Sequence, residues 1–117
     1  MNYFDGLVFA VADDQKDAYV DYAKKVAALL KQHGALRVVE GWGNDVPEGK
    51  LTSFPMAVKL AEGETAVMSW IEWPSKEVRD TGMAACMKDP LFDPEVTSVP
   101  FDGKRMIFAG FDVILDA

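Results

Sequence analysis

Eight side chains in this sequence have the chemistry to bind or transform a small molecule: Tyr3, Asp5, Trp42, Trp70, Glu72, Arg79, Lys104 and Arg105. An apolar cleft carrying a few polar groups is the usual form of such a site. There Asp5 or Glu72 would move a proton, and Arg79 or Arg105 would hold a carboxylate through two parallel hydrogen bonds. Trp42 and Trp70 offer flat faces to an aromatic ring, with Tyr3 and Lys104 beside them. Tryptophan and arginine also anchor protein interfaces, so an interface is the competing reading of the same residues. Other chemistries find little to build on. His33 is the sole histidine and Cys86 the sole cysteine, so neither a histidine-rich nor a cysteine-rich metal site can be assembled. His33 reads as a helix-terminal residue and Cys86 as an inert core thiol. No Gly-x-Ser-x-Gly elbow occurs, and Gly41, Gly43 and Gly49 lack the spacing of a phosphate loop. No cofactor and no metal are expected.

At 117 residues and 50% hydrophobic, the chain suits one domain spanning 1–117. Nineteen acidic residues against twelve basic ones give a net charge of -7, which repels phosphate backbones and anionic lipid. Nucleic acid and membrane are therefore not expected as partners. A lone cysteine forms no intrachain disulfide and fits a reducing cytoplasm. The apolar run Leu7 to Ala12 follows Asp5 and no Lys or Arg, so it reads as a strand and not as a signal peptide.

The elements that must position these side chains follow from periodicity. Tyr3 to Val11 carries apolar residues on both faces and predicts a strand buried on both sides. Asp13 and Asp14 are placed to cap a helix from about Gln15 to His33, whose stripe Tyr19, Tyr22, Ala23, Val26, Leu30 and His33 repeats at three and four. Gly34 stops it. Ala35 to Trp42 predicts an edge strand, with Leu36, Val38 and Trp42 on one side and Arg37 and Val39 on the other. Gly41 to Pro55 is punctuated by Gly, Pro, Asn and Asp and predicts a loop or flap. Met56 to Leu60 and Thr65 to Trp73 predict a hairpin around Ala61 to Glu64. Ser75 caps a second helix that ends at Asp89-Pro90. After an irregular crossing from Leu91 to Val99, Met106 to Leu115 predicts a central strand buried on both faces.

The order is that of an α+β ferredoxin-like βαββαβ fold with an antiparallel sheet. Both helices of this plan cover one sheet face. The first strand, the strand before the second helix and the last strand are nevertheless apolar on both sides. Each large apolar side chain left in water forgoes roughly 1.5 to 3 kcal/mol. Half a dozen of them would exceed a usual stability margin of about 5 to 15 kcal/mol. A second copy packed face to face, making a dimeric α/β barrel, is the expected cover. Placing the last strand beside the first is also expected to bring Asp5 near Lys104 or Arg105.

Four segments carry a resemblance: His33-Gly34-Ala35-Leu36-Arg37-Val38-Val39-Glu40, Trp42-Gly43-Asn44-Asp45-Val46-Pro47-Glu48-Gly49-Lys50, Ser69-Trp70-Ile71-Glu72-Trp73-Pro74-Ser75-Lys76 and Pro100-Phe101-Asp102-Gly103-Lys104-Arg105-Met106-Ile107. In this order they resemble the YbaA-like family of small bacterial proteins of unknown function. The resemblance implies a dimeric α/β barrel. It departs at Ala109-Gly110, where members tend to have two glycines. The wider superfamily it implies includes cofactor-independent oxygenases, haem-degrading enzymes, isomerase-like proteins and ligand binders, so the fold does not choose among activities. A signal-recognition RNA label on some relatives finds no basic stripe to support it in this chain.

Two functional expectations result. One is a cytoplasmic homodimer that binds a small aromatic or carboxylate-bearing ligand between the sheet and the helices or the Gly43 to Pro55 loop, with any catalysis independent of a cofactor. The alternative is a non-enzymatic dimer that serves as a structural or protein-interaction module.

Overall fold

The computed structural model describes residues 2–117. Its elements are β1 (Tyr3–Ala12), α1 (Lys16–Gln32), β2 (Arg37–Trp42), α2 (Phe54–Ala57), β3 (Glu64–Trp73), α3 (Lys76–Cys86) and β4 (Ile107–Asp112). All strand pairs are antiparallel, in the order β2-β3-β1-β4. This is the expected ferredoxin-like βαββαβ plan, with β2 at an edge and the last strand beside the first.

Successive strand residues point to opposite faces, so the register divides the sheet into two unlike surfaces. On one face Tyr3, Phe9 and Val11 of β1 join Val67, Ile71 and Trp73 of β3, all buried, beneath Tyr19 and Leu30 of α1 and Cys86 of α3. Ala23 and Val26 widen the stripe of α1 as its periodicity predicts, and Leu29 joins them. Gly34, at φ +112, takes the left-handed conformation that ends the helix. The helices meet closely where a Cβ on Gly82 would lie 2.3 Å from the His33 carbonyl oxygen and 2.9 Å from the Trp73 ring. Cys86 is fully buried, and that burial raises its thiol pKa, as suits a core residue.

Neither α1 nor α3 lies over the other face. Three rows cross it from β2 to β4: Gly41, Met68, Val8, Ile107; then Val39, Trp70, Gly6, Ala109; then Arg37, Glu72, Phe4, Phe111. Met68, Ile107 and Phe111 are 46%, 47% and 47% exposed, which is far from burial for side chains of that size. The rings of Phe4 and Phe111 stack with centroids 5.3 Å apart. Beyond the first row, Ala10 and Ala66 are buried. There the β2–β3 connection leaves Gly43, whose N–H donates to the Ala66 carbonyl, and reaches Arg105, which donates to the Lys59 carbonyl. Val58 in that connection is fully buried.

Four expectations need correction. Met56 to Leu60 is not a strand: Ser53 accepts from the Met56 N–H and Pro55 sits in the first turn of α2, a capped helix start that overrides the hairpin pattern. β4 is not a central strand buried on both faces. It pairs with β1 alone, ends at Asp112, and leaves Phe108 68%, Ile114 97% and Leu115 81% exposed. Asp13 and Asp14 lie in a 3-10 turn and do not cap α1; Asp13 instead accepts from the Thr65 hydroxyl. The second helix ends at Cys86, before Asp89, whose carboxylate accepts from the Leu91 N–H at the head of a separate 3-10 turn.

Gly82→Ala tests the helix crossing. In an open helix this change stabilises by about 1 kcal/mol, but the His33 carbonyl leaves no room for the methyl. The expected result in urea unfolding is destabilisation by roughly 1 to 3 kcal/mol; a stabilised variant would disprove the contact.

Candidate functional site

The structure separates the eight singled-out residues into three groups. Tyr3, Asp5 and Arg79 come together on the helix side. Asp5 is 3% exposed. Its Oδ1 accepts from Arg79 Nε at 2.9 Å and Nη2 at 2.8 Å, and its Oδ2 accepts from Trp73 Nε1 at 2.9 Å. Arg79 Nη1 reaches Asp80 at 2.7 Å, and the guanidinium lies 5.1 Å from the Tyr3 ring centre. The hydrogen bond that Arg79 donates to the Asp5 carboxylate holds the Arg79 pKa above its ordinary value. A Cβ on Gly110 would lie 2.0 Å from the Tyr3 hydroxyl and 2.4 Å from Arg79 Nη2. The glycine therefore lets this cluster press against β4. The cluster is closed, with the Asp5 carboxylate and the Arg79 guanidinium answering each other as an ion pair. The expected neighbours of Asp5, Lys104 and Arg105, lie elsewhere, because β1 meets β4 at Gly110 opposite Asp5.

Arg105 belongs to a second group at the far end of the sheet. It forks onto both oxygens of Glu64 at 2.8 Å, donates to Asp102 at 3.0 Å and to the Lys59 carbonyl at 3.0 Å. Lys104 is exposed in the same turn, its backbone N–H on Asp102. Arg105 lines an open cleft of about 780 Å3 between α1 and the Thr97 to Asp102 segment. Its guanidinium is committed to the chain's own carboxylates, so the expected carboxylate clamp is not available there. Hydrogen bonding to Arg105 pulls the Glu64 pKa from 4.5 down to about 2.

The third group lies on the uncovered face. Trp70 and Glu72 share it with Arg37, which the sequence reading placed opposite Val38 without assigning it a role. Trp70 Nε1 donates to Glu72 Oε2 at 2.9 Å. Arg37 Nη1 stands 3.6 Å from the same oxygen with 66% of its side chain exposed, whereas the Glu72 side chain is 14% exposed. Trp42 cannot join Trp70 around one ligand, because its register partner Val67 faces the helices. Lys16 covers its ring at 5.1 Å. Sequence reasoning also missed Glu40. Alternation along β2 places it beside Val38 and Trp42 on the helix side, where the Tyr19 hydroxyl donates to it. Burial raises its carboxyl pKa and, more strongly, that of Tyr19. Among the described residues, no group of three or more His, Cys, Asp or Glu could hold a metal ion, and no helix is long and apolar enough to cross a membrane.

Fold and site together define a ferredoxin-like α+β protein with its two long helices on one side of the sheet and, on the other, an apolar face that neither of them covers. Residues 2–103 match the family model described as "Protein of unknown function (DUF1428)", and the chain belongs to that family. It is 56% identical over 116 residues to "Uncharacterized protein YbaA" of Escherichia coli (strain K12), covering 99% of each chain. The protein of that name from Shigella flexneri matches equally. Among solved structures, it resembles two dimeric ferredoxin-like proteins from an uncultured marine organism. One has a TM-score of 0.63 at 12% identity over 100% of both chains. The other has 0.64 at 10% identity over 100% of this chain and 98% of that one. A nipsnap family protein with unknown function from Agrobacterium tumefaciens matches with a TM-score of 0.53, 16% identity and coverage of 96% and 87%. At these identities the likeness is one of fold.

Two substitutions read out the ion pairs. Asp5→Ala leaves the Arg79 guanidinium and the Trp73 N–H without their acceptor, and is expected to cost about 3 kcal/mol in denaturant unfolding; a loss below about 0.5 kcal/mol would contradict the assignment. The Glu64 carboxyl is depressed on folding, so its stabilisation is full above about pH 4.5 and lost as pH falls towards about 2. Arg105→Met should therefore lower the melting temperature at pH 7 and show a flatter decline than the parent between those values; parallel curves would refute the pairing.

Proposed function

We propose that this chain works as a cytoplasmic homodimer whose uncovered sheet faces close on each other and hold a small aromatic ligand between them. The observation that carries this reading is the face itself: three rows of mostly apolar side chains, with Met68, Ile107 and Phe111 about half exposed in a lone chain. Electrostatics favours the same surface. The chain carries -7 overall, yet the exposed rows hold one cation, Arg37, and one anion, Glu72. Two acidic bodies can meet through a neutral patch without bringing like charges into contact. The dimeric ferredoxin-like proteins that share the fold support this arrangement.

Trp70, Phe4 and Phe111 supply ring faces within the chamber, which favours a flat ligand. A carboxylate-bearing ligand has less support, because Arg79 and Arg105 are each held by carboxylates of the chain. Any catalysis would fall to Glu72, the carboxylate facing the chamber, since Asp5 is enclosed in the opposite layer. The competing reading, an interaction dimer without chemistry, draws on the same committed arginines.

Phe111→Asp and Val39→Asp place a charge in the proposed contact without touching the helix-side core. Light scattering at micromolar concentration should give twice the 12.9 kDa chain mass for the parent and the single mass for both variants, each still folded by circular dichroism. A folded parent of single mass would end this reading. A dimer that retains no small aromatic molecule but captures one protein at fixed stoichiometry would favour the interaction module.

A further inference from the structure

The geometry points to the cleft beside α1 as the binding site of an elongated organic dication, two ammonium groups joined by a hydrocarbon chain. The cleft exists because β4 is short. Its pairing with β1 stops where Ile107 meets Val8, so β1 runs on from Phe9 to Ala12 without β4 beside it, and the chain around Thr97 to Asp102 borders the gap instead. Phe101 fills part of the space, its ring 4.7 Å from that of Phe9 and 6.2 Å from that of Tyr22. Ala10, Ala12 and Ala18 are too small to fill the rest, which leaves about 780 Å3. A second recess of about 460 Å3 shares Lys25, Leu91 and Thr97 with the first and continues to Gln32 and Asp89. Together the two follow α1 from Gln15 to Gln32, about 25 Å at 1.5 Å per residue. No residue of the three rows on the bare sheet face lines either recess, so the site does not depend on how that face is covered.

Charge selects the ligand. The carboxylates lining the two recesses are Asp21, Glu64, Asp89 and Asp102, and the cations are Lys25 and Arg105. Arg105 serves both Glu64 and Asp102, with Lys104 flanking Asp102 from outside the lining. Among the described residues no ion pair uses Asp21, Asp89 or Lys25. Lys25 has one charge to give, so whichever of Asp21 and Asp89 it turns to, the other is left without a cation from the walls. The lining therefore keeps a negative excess in every arrangement of its side chains, and the overall charge of -7 draws cations towards it. An anion meets the opposite field. Between the charges the walls are apolar, with Leu91, Val99 and Pro100 beside the Tyr22 and Phe101 rings and the alkyl stem of Lys25. Burial raises the Tyr22 pKa, so its phenol stays neutral at ordinary pH. Ring faces receive an ammonium as readily as a hydrocarbon. A methylene chain with an ammonium at each end matches this sequence of acid, apolar wall and acid.

Four probes of one length separate charge from hydrophobicity: diaminooctane, aminooctanol, octanediol and octanedioate, each with its two groups at the chain ends, titrated calorimetrically at about pH 7 in low salt. Aminooctanol should bind about threefold and octanediol about tenfold more weakly than the diamine, as exposed charge pairs allow, with octanedioate weakest. Added salt should erase the advantage of the diamine. Asp21→Asn and Asp89→Asn should each weaken diamine binding about threefold, and Lys25→Gln should strengthen it by a similar factor. Glu77→Gln, the same change in net charge as either aspartate variant but placed in the first turn of α3, should leave it unchanged. Ala18→Trp, at an exposed position of α1 that lines the cleft, should fill the space and abolish binding of every probe. Absence of diamine binding, equal affinity for diamine and diol, a Glu77→Gln effect as large as that of Asp21→Asn, or binding unmoved by Ala18→Trp overturns the inference. Should Ala18→Trp not fold, Lys25→Gln decides, and no gain in diamine affinity then overturns it. None of these outcomes alters the mass measured by light scattering, so the dimer stands or falls separately.

Discussion

A β-sheet has two faces, and this chain has long helices for one of them. α1 and α3 close the side of Tyr3, Phe9, Ile71 and Trp73, and the inner residues there fall to a few percent exposure or less. The opposite side is partly roofed at one end by the α2 connection and is otherwise bare. Burial of apolar area is the dominant favourable contribution to folding, so a surface of this composition marks what the chain has yet to meet. The closed Asp5, Trp73 and Arg79 cluster, the glycine contacts and the split of the aromatic residues all follow from which side of the sheet each residue takes.

Much of this was legible in the primary structure because strand alternation is a strong signal. The two-sided apolar pattern marked β1 and β3 as strands needing cover on both faces, and the register places them at the centre of the sheet; the mixed pattern of β2 identified an edge. The same rule failed at β4. Its apolar run resembles a central strand, but Phe108 and Ile107 project from an edge into open surface. Apolar content reports what a residue needs covered and does not say whether its own chain covers it. The hairpin expected at Met56 to Leu60 failed for another reason: one serine hydroxyl and one proline fix a short helix there.

The site was less legible than the fold. Spacing showed that Asp5, Glu72, Arg79 and Arg105 lie near strand or helix ends, but pairing among charges depends on faces and on long-range register. Arg79 was on the helix that passes above Asp5, whereas Arg105 precedes β4 and lies beyond the end of the pairing that sets Gly110 opposite Asp5. Arg37 and Glu40 could have been found from alternation along β2, which puts one beside Glu72 and the other under Tyr19. Electrostatic networks of this kind require three-dimensional neighbours, and a single sequence supplies only local ones.

The placement of charge also bears on the solution physics of assembly. Nearly all of the -7 excess sits away from the bare face, so two approaching copies repel at long range and attract only on contact. Dissolved ions shorten the reach of that repulsion, to about 8 Å near physiological ionic strength, and leave contact between apolar rows almost untouched. If two copies meet through this face as proposed, their association strengthens as salt is added, opposite in sign to pairs drawn together by complementary surface charge, and dilute low-salt buffers are the conditions that oppose it most.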